Sequence, residues 1–489
     1  MNRKKIWNHL AFALALCLTA TCLFACGGKG DKGDKGEQGV SIVKTELIDG
    51  ELVVTYSDGR KENLGAIPGE SDPGTSAMDF YPLPDGTYGV KAGNTEYLEE
   101  IVIPATYKGK AVTQVLNNAF SDFKNLKRIT FHEGLKSIGN SAFKGCSALE
   151  LVRIPGSVTD IGEGAFLDCA SLERVVLSEG VRTIGNYAFQ RCTSLTSVTI
   201  PGSVSAIGQT AFRDCYRLVE VIADAAVLGL EKGSSQNGCV AQYALDIHSD
   251  ETSRLNELDG FLFYTVENVH YLVNYIGSET ELTLPVGYRG ADYRINRYAF
   301  FGYADLTAVT IPDTVIGIGD AAFRGCSSLE SVVLPEHVAE LGAFAFADCT
   351  ELAAVTLPKV IRVIGESAFV ETAYFLNEEH WLDDVLYMGD HLISVRTSLK
   401  GSYTVRAGTK IVANGAFYSC IGLTELILPD SLTDIGSRAF GYCSGLRTLQ
   451  YEGNELQWEA VSKGTEWDHE MPYYTVKCKD GTVSKPIIG

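Results

Sequence analysis

The chain has 489 residues, 45% of them hydrophobic and 21% charged, with a formal net charge of −20. This composition excludes a disordered chain and one built of membrane spans, and the length suggests two to four domains. The acidity argues against nucleic acid and anionic membrane surfaces as partners, because both need concentrated Lys and Arg.

Arg3, Lys4 and Lys5 precede an apolar run from Leu10 to Ala25 that is too short for a comfortable transmembrane helix. Residues 1–25 therefore read as an export signal. The run ends in Leu23-Phe24-Ala25-Cys26, followed by Gly27-Gly28. This resembles a bacterial lipobox, although Phe24 is bulkier than the residue usual at its position. The resemblance implies cleavage before Cys26, lipidation of Cys26, and a tether to the outer side of a membrane through acyl chains. An ordinary secretory signal with a chance cysteine is the alternative. Residues 26–40 place Gly30, Gly33, Gly36 and Gly39 at period three, with far too few triplets for collagen, and read as a hydrated spacer. Residues 41–65 carry β-rich runs around Asp49-Gly50 and Asp58-Gly59, as in a small meander too slight to be a functional domain. Residues 66–78 form a Pro/Gly/Ser linker.

From residue 79 to 447 the chain repeats. Ala-Phe pairs end at Phe120, Phe143, Phe166, Phe189 and Phe212, then at Phe300, Phe323, Phe346 and Phe369, and again at Phe417 and Phe440. Within each series the spacing is 23 residues, which is the signature of a solenoid. A unit reads L-x-x-V-x-I-P-x-x-V-x-x-I-G-x-x-A-F-x-x-C. The expected coil is one β-strand plus a short helical turn. Its strand ends at proline (Pro155, Pro201), its chain turns at V-x-x-I-G where glycine reaches unusual backbone angles, and A-F-x-x-C forms a helical or 3₁₀ turn. Phe143, Phe166, Phe189, Phe212, Phe323, Phe346 and Phe440 are expected to fill the core, because a single coil has no interior and stacking must supply one. Truncating such a Phe should cost about 3–5 kcal/mol.

Inserts interrupt the period near 223–290 and 370–410: Phe300 follows Phe212 by 88 positions and Phe417 follows Phe369 by 48. Degenerate coils without Ala-Phe are expected there, with Leu282, Leu284, Tyr403 and Val405 in strand positions and GSSQNGCVAQYALDIHSDET looping out. Residues 448–489, with Trp458, Trp467 and Cys478, are expected to cap the last coil.

The 23-residue unit, as in SLTSVTIPGSVSAIGQTAFRDC, resembles the BspA-like leucine-rich repeats of bacterial surface proteins. So do the inserts GFLFYTVENVHYLVNYIGSETELTLP and FLNEEHWLDDVLYMGDHLISVRTSLKGSYTV, and the tail LQYEGNELQWEAVSKGTEW. The resemblance covers roughly residues 79 to 489. It implies a leucine-rich-repeat solenoid at the cell surface of a bacterium, with adhesion to host proteins or other cells, and specifies no ligand.

Eight of the 13 cysteines, Cys146, Cys169, Cys192, Cys215, Cys326, Cys349, Cys420 and Cys443, share one repeat position. Zinc sites want C-x₂-C pairs with histidines nearby, and no such spacing occurs. Equivalent Cα atoms in stacked coils lie about 5 Å apart, but parallel side chains keep their Cβ atoms beyond usual disulfide reach. Phe123, Tyr303 and Thr372 fill the same slot in other coils, so packing by a small hydrophobe with a weak donor is the expectation. The eight histidines, His270 and His337 among them, form no triad, cluster or H-E-x-x-H, and no phosphate or calcium loop is present. Glu378-Glu379 and Asp383-Asp384 are adjacent acids of the kind that are usually just solvated. No catalytic or metal residues and no cofactor are expected.

Binding then falls to surfaces. The exposed strand positions Arg153, Val176, Thr199, Thr310, Val333 and Thr356 are bland as recognition chemistry. The inserts hold aromatics, and Tyr264, Tyr271, Tyr275, Trp381 and Tyr387 are the candidate partner-binding residues, while Phe261 and Phe263 are expected to pack on the solenoid flank. The chain is thus expected to be a monomeric, exported, lipid-anchored and non-catalytic module for extracellular proteins or glycans. A structural envelope spacer, or an enzyme housed in 213–299, are the alternatives.

Overall fold

Every coil of the repeat carries two strands. In the computed structural model, which describes residues 42–48, 51–56, 61–66, 78–93, 97–224, 228–250 and 252–484, the L-x-x-V-x-I runs pair in parallel. Arg174–Leu177 lies between Leu151–Ile154 and Ser197–Thr199, with Val152, Val175 and Val198 in register. The V-x-x-I segment, expected to be a turn, forms a second parallel sheet: Thr183–Ile184 sits between Asp160–Ile161 and Ala206–Ile207. Strands of two residues leave no alternating pattern in the sequence, and only the neighbouring coil makes them strands.

The glycine after each of these isoleucines has a different role from the one expected. Gly162 has no left-handed φ. A Cβ placed on it would lie 2.5 Å from the Gly139 carbonyl carbon and 2.6 Å from the Asn140 nitrogen. Close stacking of one backbone on the next is what excludes a side chain here. Left-handed angles recur elsewhere, before the Ala-Phe pair (Ser141, φ 54°; Tyr187, φ 59°) and before the cysteine (Gly145, φ 69°; Asp168, φ 62°).

The A-F-x-x-C piece is a chain of turns rather than a helix, because every second amide bonds outward to the next coil. Phe143 N–H donates to the Ala165 carbonyl at 2.7 Å, and Phe166 N–H to that of Ala188 at 2.7 Å. These bonds hold the rings in columns. Phe143, Phe166 and Phe189 follow one another at 5.2 Å, with planes within 8° of parallel. Phe300, Phe323 and Phe346 repeat the arrangement at 4.8 and 5.1 Å. Phe212 and Phe440 are buried as well.

All eight repeat cysteines are buried and unbridged. Most of their thiols donate to the carbonyl of the preceding coil's phenylalanine: Cys146 to Phe120 at 3.1 Å, Cys169 to Phe143 at 3.2 Å, Cys349 to Phe323 at 3.1 Å, and Cys443 to Phe417 at 3.0 Å. Cys420 follows a coil without Phe and reaches the Arg396 carbonyl at 3.8 Å instead. The slot thus selects a small group that packs and also satisfies a buried oxygen.

The apolar interior comes in two long clusters, one ending at Ala244 and the other beginning at Phe261. The stretch 233–252 at their junction, expected to loop out, is a stacked coil. Phe212 N–H donates to the Gly238 carbonyl at 2.7 Å, Val240 and Ala241 are buried, and Asp246–His248 pairs in parallel with Glu220–Ile222. Its few small apolar residues suffice because a coil needs only one buried flank. Buried charge joins the two clusters. The Arg217 guanidinium donates to the carbonyls of Thr193 (3.2 Å), Tyr298 (3.1 Å) and Phe301 (2.7 Å) and lies 5.1 Å over the Tyr303 ring. Glu220 is fully buried and accepts from Ser197 Oγ (2.7 Å), Ser253 Oγ (2.6 Å) and Arg254 N–H (2.6 Å), with His248 Nε2 at 3.1 Å.

Antiparallel hairpins, Phe261–Val266 with Val269–Tyr275 and Val385–Met388 with His391–Val395, extend the short-strand sheets at the two inserts. At the C-terminal end Trp467 accepts the Phe440 amide through its carbonyl and packs 5.8 Å from that ring, followed by the closing hairpin Thr475–Lys477 with Thr482–Ser484. The three antiparallel strands Ile42–Ile48, Glu51–Tyr56 and Lys61–Ala66 belong to a separate unit. The expected export signal, Cys26 and the expected glycine spacer lie outside the described residues.

Candidate binding groove

The aromatic residues singled out in the inserts are placed mostly inward. Tyr264 is completely buried and donates to Asp246 Oδ2 at 3.0 Å. Tyr275 packs 4.8 Å from Phe261, and Tyr387 is buried with its hydroxyl 3.2 Å from that of Tyr403. These three cannot present a ring to a partner: their hairpins add strands to the sheet, and that addition turns the larger faces into the core. Phe261 and Phe263 are buried for the same reason. Trp381 is half-buried, its Nε1 donating to the Phe375 carbonyl at 2.7 Å, with the Arg396 guanidinium 4.3 Å over its ring. Tyr271 is half-buried and reaches a groove.

That groove, about 520 Å³, runs along the short-strand sheet of the second half of the solenoid. Parallel pairing sets Tyr271, Arg294, Gly317, Glu340 and Val363 side by side across five neighbouring strands. The next residue on each, Leu272, Ile295, Ile318, Leu341 and Ile364, points into the core. Arg294 lies across Gly317 to form an ion pair with Glu340, two coils away. A Cβ on Gly317 would sit 3.1 Å from the Arg294 Nη2, so the glycine is what allows the side chain to lie flat. Asp320 Oδ1 accepts the Ala343 amide at 2.8 Å, and the Arg297 guanidinium lies 6.0 Å over Tyr243.

At the floor stands Asn296. It occupies the slot that glycine fills in Gly319, Gly342 and Gly365, as I-N-R-Y-A-F against I-G-x-x-A-F. A side chain fits because its neighbour is the Val269–Tyr275 hairpin strand and not a regular coil. Asn296 is 5% exposed, and its Nδ2 has no hydrogen-bond partner. Tyr243, under Arg297, belongs to a half-buried aromatic cluster in which Tyr216 stacks on Tyr298 at 4.7 Å and lies 5.1 Å from Phe301. Of these groove and cluster residues, Tyr271 alone was singled out from the sequence. The Gly-to-Asn exchange at 296 was the one readable sign, while the alignment of residues 46 apart exists only after stacking.

The residues at hand do not suggest chemistry. Burial pushes the Cys146 and Cys420 thiols up to about 12 and holds Cys169 well above its usual value, so these sulfurs stay protonated. His270 Nδ1 pairs with Thr265 Oγ1 at 2.8 Å, and His337 Nδ1 lies 2.9 Å from the Asp313 carbonyl. Glu378 takes both of its bonds from Arg396, and Asp383 and Asp384 turn a hairpin at φ 49° and 66°. Among the described residues no three His, Cys, Asp or Glu side chains converge as metal ligands.

Residues 93–219, 293–394 and 395–459 match the family described as BspA type leucine rich repeat region, in six copies. Among solved structures, a leucine rich cell surface protein from Faecalibacterium prausnitzii is 24% identical, with 79% of this chain and 96% of that one covered and a TM-score of 0.32. A leucine-rich repeat protein from Eubacterium ventriosum is 18% identical over 83% and 98%, with a TM-score of 0.30. The pneumococcal vaccine antigen PcpA is 16% identical over 90% and 88%, with a TM-score of 0.26. No curated protein matches the chain.

Proposed function

This chain belongs to the BspA type leucine-rich repeat family, and from that premise we propose that it is a non-catalytic binding module displayed on the bacterial surface. Cys26, after its apolar run, would carry the lipid anchor, and the solenoid would hold an extracellular partner. One observation carries the binding role: a groove of about 520 Å³ on a sheet of paired strands, lined by Asn296, whose buried Nδ2 has no partner. Buried polar groups are nearly always paired, and an open donor in a concavity is a place for a ligand acceptor.

The test is to display the full chain on cells and measure adhesion to immobilised matrix proteins and polysaccharides. The expected result is specific adhesion that is lost when Gly317→Gln fills the groove, and release of the protein into the medium by Cys26→Ser. Adhesion to no surface, or adhesion that Gly317→Gln leaves untouched, would refute the role assigned to the groove. Retention of the Cys26→Ser protein on the cell would refute the anchor.

A further inference from the structure

Resting on the reading of the chain as a surface binding module, we infer that the groove over Gly317 takes a neutral glycan, a run of uncharged hexopyranose units. Each charge in the groove already has a partner within the protein, and Arg294 and Glu340 are partners of each other. Arg294 is tied to Glu340, Arg297 sits over Tyr243, and an Asp320 oxygen accepts the Ala343 amide. A sulfated or uronate chain would have to compete with Glu340 for Arg294 and would approach a protein of net charge −20. A cationic peptide would have to displace the arginine in turn.

Peptides also dock by adding to a strand edge or by filling apolar pockets. Here the strands Tyr293–Ile295, Val315–Ile318 and Glu340–Leu341 are each paired on both sides, so their backbone is taken. Their apolar side chains face the core and leave a glycine-lined floor. What the floor offers is hydrogen-bonding groups of modest polarity: the free Asn296 Nδ2, the rims of the Arg294–Glu340 pair, and Asn414. Hydroxyls, which donate and accept at once, match such a mixture. Tyr271 at one end supplies an amphipathic ring of the sort a pyranose face covers. The volume falls within the roughly 300–1,000 Å³ usual for ligand sites and suits a short oligosaccharide.

The experiment is saturation-transfer NMR and titration calorimetry on the full chain. The probes are neutral gluco-, galacto-, manno- and xylo-oligosaccharides, with a sulfated oligosaccharide, an oligouronate and a fibrillar matrix protein as the other arms. At least one neutral oligosaccharide should bind. Asn296→Leu should weaken it about tenfold, the scale of one lost hydrogen bond. Gly317→Gln should abolish binding with the melting midpoint unchanged, which guards against a variant that fails to fold. Ala206→Gln, at the equivalent position of the first half, should leave binding intact. Binding of the matrix protein alone, blocked by Gly317→Gln, would overturn the ligand class while the binding-module reading stands. Preference for the charged sugars would likewise overturn it. Neutral glycan binding that neither groove variant changes would overturn the site, and silence from every probe would overturn both readings.

Discussion

The coils between Phe120 and Phe212 and the junction between Arg217 and Arg254 solve the same stacking problem by opposite means. The regular coils bury hydrocarbon and neutral donors, and the contacts of the Phe and Cys columns recur every 23 residues. The junction buries a guanidinium and a carboxylate, each surrounded by partners drawn from both flanks. Apolar columns give cohesion in any register, whereas charged groups out of water are tolerated in only one. Where the period breaks and the Phe column stops, directional bonds hold the register that repetition holds elsewhere.

Breaking the junction should have the largest effect. Arg217→Met leaves the carbonyls of Thr193 and Phe301 without this donor and should cost about 3 kcal/mol. In urea it should split one unfolding transition into two, as the clusters on either side lose their coupling. A single transition followed by both circular dichroism and tryptophan fluorescence would remove the difference between junction and regular coils, since Trp381, Trp458 and Trp467 all belong to or pack against the second cluster.

The thiol columns come next and can be read through pH. Burial raises Cys146 and Cys420 from 9.0 to about 12 and Cys443 to about 11. The unfolded thiols ionise first, so the unfolded state sheds protons that the folded state retains. The stability they contribute is complete below about pH 9 and falls as pH rises towards 11–12, by about 1.4 kcal/mol per pH unit for each thiol. Buried tyrosines push in the same direction. The check is therefore a comparison of denaturant midpoints from pH 8 to 11 between the parent and a Cys146→Ala, Cys420→Ala, Cys443→Ala variant, whose decline should be shallower.

The smallest effect belongs to the solvent side of the regular coils. Arg191 Nε and Nη2 reach the two Asp168 oxygens at 2.6 and 2.9 Å, one coil apart. Both groups are substantially exposed, so Asp168→Ala should cost about 0.5 kcal/mol and less at high salt. A loss comparable to that of Arg217→Met would mean that exposed pairs, and not the junction, set the register.

The repeat was legible because its residues are chosen by neighbours that share the pattern. Phe166 meets Phe143 and Phe189, so a 23-residue spacing already states who packs on whom. The second strand was not legible, since two residues such as Thr183 and Ile184 cannot show a period of two. Gly162 was legible as a glycine, but its reason was not, because the atoms it avoids belong to Gly139 and Asn140 in the coil before. The aromatics of the inserts were misplaced because Tyr264, Tyr275 and Tyr387 sit on hairpins that join a sheet and turn their faces inward.

By itself the sequence determined the solenoid, its columns of Phe and Cys, and the family to which it belongs, because all of these follow from identity at a fixed spacing. Only the tertiary structure decided which face is free. Whether Arg294 meets Glu340, whether Asn296 has a partner, and whether Tyr271 or Tyr264 reaches solvent depend on which strand lies beside which. Those juxtapositions are made where the repeat is broken, and there no spacing records them.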